Sequence, residues 1–327
     1  MKTYLKVVST GIAIPDKVIS NADLEKMVET SDDWIVTRTG IHERRISENG
    51  VSSGDLGAQA ARIALDNAGL SAGDIDLIMV ATASGDHLFP STACIIQNQL
   101  GAKQATAFDI SAACSGFLYC LTVAHSLLST GSFRTALIIG AETLSKITDY
   151  SDRSTCVLFG DGAGAMIVTL GTDDKGLFAS HLGSDGSYAP LLNLPAGGSR
   201  LPASLETVRQ DLHYIKMNGN ELFKVAVRSM EEAAIMTLSK AHVSTAQLDL
   251  LIPHQANIRI INSLVKRLGV EEKKVYVNIE RYGNTSAASI PIAYHEARAQ
   301  GLCDENSLIL MVAFGGGITW GGVLIRG

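Results

Sequence analysis

Asp109-Ile-Ser-Ala-Ala-Cys-Ser-Gly-Phe-Leu118 and Gly283-Asn-Thr-Ser-Ala-Ala288 decide the fold when set side by side. Each is a run of small residues that follows an apolar strand pattern and opens an apolar helical pattern. Gly131 lies seventeen positions after Cys114, and Gly301 seventeen positions after Asn284. The surroundings repeat in order. Ile75-Asp-Leu-Ile-Met-Val-Ala81 precedes the first run, and Leu248-Asp-Leu-Leu-Ile-Pro-His254 precedes the second. Ala136-Leu-Ile-Ile-Gly140 and Gly160-Asp-Gly-Ala-Gly-Ala-Met-Ile-Val168 follow the first. Ser307-Leu-Ile-Leu-Met-Val312 and Gly315-Gly-Gly-Ile-Thr-Trp-Gly-Gly-Val-Leu-Ile325 follow the second. This order implies two similar α/β halves packed about an approximate twofold, with Cys114 and Asn284 at equivalent points.

Working outward, Asp76–Thr82, Thr135–Gly140 and Ala165–Leu170 read as buried strands, and alternation with helices predicts largely parallel sheets. Asp55 to Ala68 reads as a helix closed by Gly69, with Leu56, Ala60, Ile63, Ala64 and Ala68 as its inner stripe. The halves divide near 172–182, giving residues 1–175 and 176–327. Ser184 to Asn218 lacks clean periodicity and reads as an inserted loop region that lines a substrate tunnel.

A chain of 327 residues suits two ordinary domains. It is 46% hydrophobic, 18% charged and 6% aromatic, a composition that argues against disorder. A net charge of −6 disfavours a general nucleic-acid binder. The cysteines at 94, 114, 120, 156 and 303 form no CxxC pair and have no partners at zinc spacing, so no metal is expected. Scattered, odd in number and reduced, they fit a cytoplasmic protein. The N-terminal apolar stretch is too short and broken for a signal peptide, and no run approaches the ~20 apolar residues of a membrane span.

Cys114 lies where a strand gives way to a helix, among small residues that let a carbonyl approach. The positive end of the helix is expected to lower its pKa and favour the nucleophilic thiolate. Taken alone, the segment reads first as a buried structural cysteine, the common fate of this residue. His254 ends a very apolar strand and opens a helix, a position where open α/β sheets place function, although a satisfied core histidine has the same pattern. Asn284 alone is a helix cap; the repeat is what sets it opposite Cys114. Phe314-Gly315-Gly316-Gly317 brings backbone N–H groups within reach of a ligand or simply turns the chain. No HExxH, Walker A or properly placed GxGxxG pattern occurs, so zincin, nucleotide-hydrolysis and nicotinamide readings lack support.

With these residues in these contexts, the chain resembles the β-ketoacyl-acyl-carrier-protein synthase III family, the initiating condensing enzymes of type II fatty-acid synthesis. The likeness spans the chain through Thr30-Ser-Asp-Asp-Trp-Ile-Val-Thr-Arg-Thr-Gly-Ile41, Ala112-Ala-Cys-Ser-Gly-Phe117, Phe159-Gly-Asp-Gly-Ala-Gly-Ala165, Pro253-His-Gln-Ala-Asn257, Gly283-Asn-Thr-Ser-Ala-Ala-Ser289 and Ala313-Phe-Gly-Gly-Gly-Ile-Thr-Trp-Gly321. A Cys-His-Asn set separates this branch from elongating synthases, which use Cys-His-His.

The resemblance implies a thiolase-like fold of five αβαβα layers. It implies that Cys114 takes the acyl group from acyl-CoA and that the N–H groups of Cys114 and Gly316 form the oxyanion hole. His254 and Asn284 would donate to the malonyl thioester carbonyl as CO2 leaves. Trp34, Arg38 and Arg153 match positions that hold the adenine end of CoA, and Asn220 and Asn257 match tunnel residues. Phe89 matches a residue that closes the partner's tunnel, which implies a homodimer with His87 to Thr92 in the interface. Lys224, Arg259, Lys266 and Arg267 would receive the acidic acyl carrier protein. The helix Ile258–Leu268 would face inward through Ile260, Ile261, Leu264 and Leu268, and a solvated face is the alternative reading of the same basic residues. No cofactor is implied, because the CoA thioester is a substrate; nor is a nucleic-acid or membrane partner. Acetyl-CoA is the default primer. Acyltransferases and secondary-metabolite condensing enzymes of the same fold are the neighbouring alternatives, and a Cys-His-Asn hydrolase is the alternative from another class.

Overall fold

Apolar runs without a polar residue cannot leave one face in water, and they form the centres of two sheets. The structure, a computed structural model, describes residues 3–327. Its first sheet joins β1 (Tyr4–Ala13), β2 (Leu77–Ala81), β3 (Thr106–Ile110), β4 (Thr135–Thr143) and β5 (Asp161–Gly171) in the spatial order β1-β5-β4-β2-β3. Every residue of β2 is buried, as a strand covered on both faces requires. The second sheet joins β6 (Gly176–Ser184), β7 (Leu250–Pro253), β8 (Leu308–Gly315) and β9 (Thr319–Arg326) in the order β6-β9-β8-β7. That order repeats β1-β5-β4-β2. The fifth position, filled by β3 in the first half, shrinks in the second to one parallel bridge between Leu251 and Val275.

The helices that frame the site are α1 (Asp32–Thr39), α2 (Ser53–Ala68), α3 (Thr92–Leu100), α4 (Gly116–Ser129), α5 (Gly219–Ala241), α6 (Ile258–Leu268) and α7 (Ser289–Ala299). Helices α2 and α3 cover the outside of the first sheet, and α5 and α6 cover the outside of the second. Between the sheets lie α4 and α7. Their Phe117, Leu121, Ile290 and Tyr294 share one core with Met79 and Ile138 of the first sheet and Ile309 and Met311 of the second. Each such side chain contributes ~1.5–3 kcal/mol by leaving water. Five layers result, and the middle one carries a helix N-terminus from each half.

Three expectations need correction. The sheets are mixed: β5 runs antiparallel to β1 and β4, and β9 runs antiparallel to β8 and β6. The link from β8 to β9 spans only residues 316–318, far short of the dozen or more that a parallel crossover needs. In α2, Ile63 is exposed; the inner face is Leu56, Gly57, Ala60, Ala61, Ala64 and Leu65. That face is small because β1 presses on it: a Cβ on Gly11 would stand 2.3 Å from the Ala60 carbonyl oxygen. The segment from Ser184 to Asn218 is not wholly irregular. Leu192–Asn193 pairs antiparallel with Lys216–Met217, and Leu205–Arg209 forms a short helix.

Candidate active site

Two turns meet where the halves pack. Ala113–Ser115 leads into α4, and Ser286–Ala288 leads into α7. Their first residues hold left-handed backbone, with φ of 44° at Ala113 and 47° at Ser286. The structural register therefore sets Cys114 against Ala287, not Asn284. The equal spacing to Gly131 and Gly301 hides a difference in helix length, 14 residues in α4 against 11 in α7. Each turn is pressed by a glycine of the other half. A Cβ on Gly140 would stand 2.3 Å from the Ala287 carbonyl oxygen, and one on Gly315 would stand 2.8 Å from the Cys114 nitrogen.

Cys114 is 8% exposed, and burial pushes its thiol up to about 12. The expected lowering by the helix end does not occur. A helix N-terminus is worth ~0.3–1 kcal/mol, less than the ~1.36 kcal/mol of one pKa unit, and desolvation outweighs it. Cys114 also sits ahead of the first α4 residue, Gly116. The buried Glu142 nearby adds negative charge, while the Ser286 hydroxyl pulls the other way. Burial also raises the Glu142 carboxyl, against donors from the Ser84 hydroxyl and the Ala83 and Ala287 backbone.

His254 follows β7, its N–H donating to the Val312 carbonyl at 2.8 Å. It precedes α6 by four residues rather than opening it; Asn257 caps that helix, accepting from the Arg259 N–H at 2.8 Å. The ring is fully buried, its Nδ1 lies 2.7 Å from Ser289 Oγ, and its Nε2 has no partner among the described residues. Burial without a counter-charge lowers its pKa to about 3, so the imidazole is neutral at physiological pH. Asn284 is held by its backbone, donating to Leu158 at 2.8 Å and accepting from Gly160 at 3.0 Å. Its Oδ1 accepts the Ser286 N–H at 2.8 Å, which leaves the amide NH2 to donate elsewhere.

Cys114 lies between two cavities. One, of about 110 Å3, is bordered by Cys114, His254, Asn284, Phe314, Asn257 and Phe223. The other, of about 280 Å3, is apolar, bordered by Leu144, Ile147, Phe159, Leu192, Ile215 and Gly316. Leu192 and Ile215 belong to the inserted segment, which thus lines this cavity. A third, outer opening of about 560 Å3 carries Trp34, Arg38, Asn220, Lys224, Asn257 and Arg259. There the guanidinium carbons of Arg38 and Arg153 stand 4.6 and 4.8 Å from the Trp34 ring centre. A Cβ on Gly40 would stand 2.7 Å from Ile258, so α1 is fixed against α6 and keeps Trp34 near Arg259.

Not every expected residue joins the site. Asn220 is exposed at the mouth rather than inside. Phe89 is 86% exposed and borders neither cavity of its own chain. On α6 the predicted inner stripe Ile260, Ile261, Leu264 and Leu268 is buried and Lys266 is exposed, but Arg267 is paired with Glu231 at 2.6 Å. Sequence reasoning passed over Glu142, Ser286 and Ser289. The two serines fall inside a quoted motif, yet only folding shows that their hydroxyls face Cys114 and His254. Gly160-Asp-Gly-Ala-Gly serves packing: Cβ atoms at Gly160 and Gly164 would meet Tyr282 and Pro291 at 2.1 and 2.7 Å.

The sequence matches two family descriptions, 3-Oxoacyl-[acyl-carrier-protein (ACP)] synthase III over residues 108–186 and the C-terminal part of the same family over residues 238–327. It is 53% identical to a beta-ketoacyl-[acyl-carrier-protein] synthase III of Natranaerobius thermophilus, over 98% of each chain. A solved 3-oxoacyl-[acyl-carrier-protein] synthase III from Aquifex aeolicus superposes with a TM-score of 0.91 at 51% identity, covering 99% of this chain and 100% of that one. The priming beta-ketosynthase of the R1128 polyketide pathway superposes with the same TM-score at 33% identity, covering 99% and 96%.

Proposed function

The chain belongs to the 3-oxoacyl-[acyl-carrier-protein] synthase III family, and from that membership we infer that it joins an acyl primer, delivered to Cys114 by acyl-CoA, to the malonyl group of malonyl-acyl carrier protein. It is an acyltransferase of the thiolase fold. The observation that carries the assignment of roles is the placement of Cys114 at the junction of the cavities, with His254 and Asn284 on one side and an apolar chamber on the other.

The first half-reaction forms a thioester between Cys114 and the acyl group and releases CoA, whose sulfur takes the thiol proton. The N–H groups of Cys114 and Gly316 serve the tetrahedral oxyanion. The acyl chain then lies in the apolar chamber. In the second half-reaction the malonyl carboxylate leaves as CO2, and its bonding pair becomes an enolate. That charge needs fixed donors rather than a base, and a neutral His254 and the Asn284 amide supply them. Each such donor is worth roughly 2.7–4 kcal/mol of barrier. The enolate attacks the acyl carbon, the carbon–sulfur bond to Cys114 breaks, and the thiolate recovers a proton from solvent. No metal or cofactor is needed.

Trp34, Arg38 and Arg153 at the mouth suit an adenine and its phosphates, with Asn220 beside them at the mouth and Asn257 leading inward. Lys224, Arg259, Lys266 and Arg267 suit an acidic carrier protein. We assign the nucleophile to residues 1–175 and the donors to 176–327. We also read the exposed Leu88 and Phe89 as contacts of a homodimer, and the five free thiols as those of a cytoplasmic protein. No helix among the described residues is long and apolar enough to cross a membrane. Acetyl-CoA is the proposed primer.

The test is intact-mass analysis and peptide mapping after incubation with acetyl-CoA, then addition of malonyl-acyl carrier protein. An acetyl adduct on Cys114 that disappears as acetoacetyl product forms is the expected result. An adduct without a carbon–carbon bond would favour the acyl-transfer alternatives. No adduct with acetyl-CoA but one with a longer or branched acyl-CoA would move the primer. No adduct with any acyl-CoA would remove Cys114 from its role.

A further inference from the structure

We propose that Ser289 is a positioning residue that fixes the tautomer of His254, donating its hydroxyl to Nδ1 so that the single imidazole proton sits on Nε2 and faces the cavity. The inference rests on the reading of His254 as a donor to the malonyl carbonyl.

A neutral imidazole has one N–H and one acceptor nitrogen, and whatever meets one nitrogen decides the other. Ser289 Oγ lies 2.7 Å from Nδ1, and both residues are buried, at 3% and 0% exposure. The same oxygen accepts the Gln255 backbone N–H at 3.4 Å. Were Nδ1 protonated, two donors would converge on Oγ, and the serine hydrogen would have no acceptor among the hydrogen bonds of the described residues. The Nε2 lone pair would also be buried without a donor, an arrangement that costs a lost hydrogen bond at each place. With the serine hydrogen on Nδ1, every group near the ring is satisfied except the Nε2–H. That proton stands in the cavity it shares with Cys114, Asn284 and Phe314, with the Phe314 ring edge-on at 5.8 Å.

The location of Ser289 gives the contact a second consequence. It is the first residue of α7, and Asn284 lies just ahead of the turn that opens the same helix. One rigid element therefore sets the register of both donors, Asn284 directly and His254 through Ser289. The loop carrying His254 is tied independently. The Gln255 amide donates to Pro253 and Tyr276 carbonyls at 2.8 and 3.2 Å and accepts the Asn278 N–H at 3.0 Å. Loss of the Ser289 hydroxyl should thus release the tautomer without releasing the loop.

The experiment compares the parent with Ser289→Ala and Ser289→Thr. Acyl transfer to Cys114 is followed by intact mass, CO2 release from malonyl-acyl carrier protein is measured separately, and imidazole 15N shifts are recorded on 15N-histidine-labelled protein. Expected for S289A is a roughly tenfold to hundredfold slower CO2 release, by analogy with metal-bound histidines that lose their orienting partner. Acyl transfer should stay within about threefold, the signature of a lost transition-state interaction in one step only. The 15N pattern should change from Nε2–H alone to a mixture, and S289T should restore both readouts. An unchanged 15N pattern in S289A, or equal loss in both half-reactions with S289T no better, would overturn the proposal. The 15N readout needs no turnover. A parent that failed to condense would sink the functional reading, while the tautomer assignment would still be decided.

Discussion

Ala113 and Ser286, in different halves of the chain, hold the same left-handed backbone, each opening the turn that leads into a central helix. Left-handed φ costs an L-residue roughly 1–2 kcal/mol. Ser286 recovers part of this through the bond from its N–H to Asn284 Oδ1, whereas no such side-chain contact serves Ala113 among the described residues. Glycine at 113 would remove the clash but add unfolded-state freedom, so Ala113→Gly should lie within about 1 kcal/mol of the parent. A β-branched residue cannot take this backbone cheaply, and Ala113→Val should lower stability by about 2 kcal/mol or more. Thermal melts of both variants check this, and a parental Tm for A113V would contradict the strained turn.

The state of Cys114 predicts a pH dependence confined to one half-reaction. With its thiol pushed up to about 12, the thiolate fraction grows tenfold per pH unit across the neutral range. Acyl transfer from acyl-CoA should therefore climb between pH 6.5 and 8.5. His254, lowered to about 3, stays neutral over that range, so CO2 release by the pre-acylated enzyme should be flat. The sign for stability follows from the same residue. Its folded pKa lies below the unfolded value of 6.5, so the unfolded chain binds the extra proton first as pH falls. Stability from this group is complete above about 6.5 and declines toward pH 3. Rates from pre-steady-state mass spectrometry and melts from pH 7 to 4 test both halves; a flat acylation profile would show that the thiol is not buried as described.

How far the sequence carried the reading depended on whether a feature was local. The paired halves were legible because the order of apolar strand, small-residue turn and helix needs only local pattern. Cys114, His254 and Asn284 were legible because each sits in a long motif. The register between halves was not, because α7 is shorter than α4 and equal spacing to Gly131 and Gly301 mimics an equivalence that φ at Ala113 and Ser286 corrects. Strand direction was not legible either, since β4 and β5 look alike whether parallel or antiparallel. Nor was the thiol pKa: desolvation of Cys114 comes from packing across both halves, which no stretch of sequence displays. Glu142 drew no reading from the sequence, because only folding brings Ala83, Ser84 and Ala287 over it.

The proposed donors should separate the half-reactions. Asn284→Ala and His254→Ala each remove one group from the place where enolate charge develops. Each should slow CO2 release by roughly 10²–10³-fold, with acyl transfer to Cys114 much less affected. The double variant should fall short of the product of the two, because the donors act on one oxygen. Stopped assays of released CO2 beside intact-mass acylation would show this; equal losses in the two steps would assign both residues to binding or folding instead.

At the mouth, Trp34 is flanked by Arg38 and Arg153 at 4.6 and 4.8 Å. Base stacking on an aromatic ring is worth ~1–3 kcal/mol, and an adenine far from the reacting carbon is bound equally in ground and transition states. Trp34→Ala should therefore raise KM for acyl-CoA by roughly tenfold or more with kcat nearly unchanged. KM for malonyl-acyl carrier protein, which has no adenine, should not move. A matched rise for both substrates would mean that Trp34 supports the channel rather than the nucleotide.

The basic residues of α6 are not equivalent, and charge reversal should rank them. Arg259 borders the mouth, its guanidinium carbon 5.7 Å from the Phe223 ring centre, and it forms no salt bridge among the described residues. Arg267, at the far end of the helix, already faces Glu231 at 2.6 Å. A carrier protein rich in carboxylates gains more from an uncompensated cation beside the channel than from one neutralised within its own chain. Arg259→Glu should raise KM for malonyl-acyl carrier protein several-fold more than Arg267→Glu, with Lys266→Glu between them. The difference should shrink above about 0.3 M salt, where the Debye length is roughly 6 Å. KM for acyl-CoA in R267E should match the parent. If R267E proved the more damaging for the carrier protein, the docking face would lie along the outer length of α6 rather than at the mouth, and the solvated-face reading of Arg259 would stand.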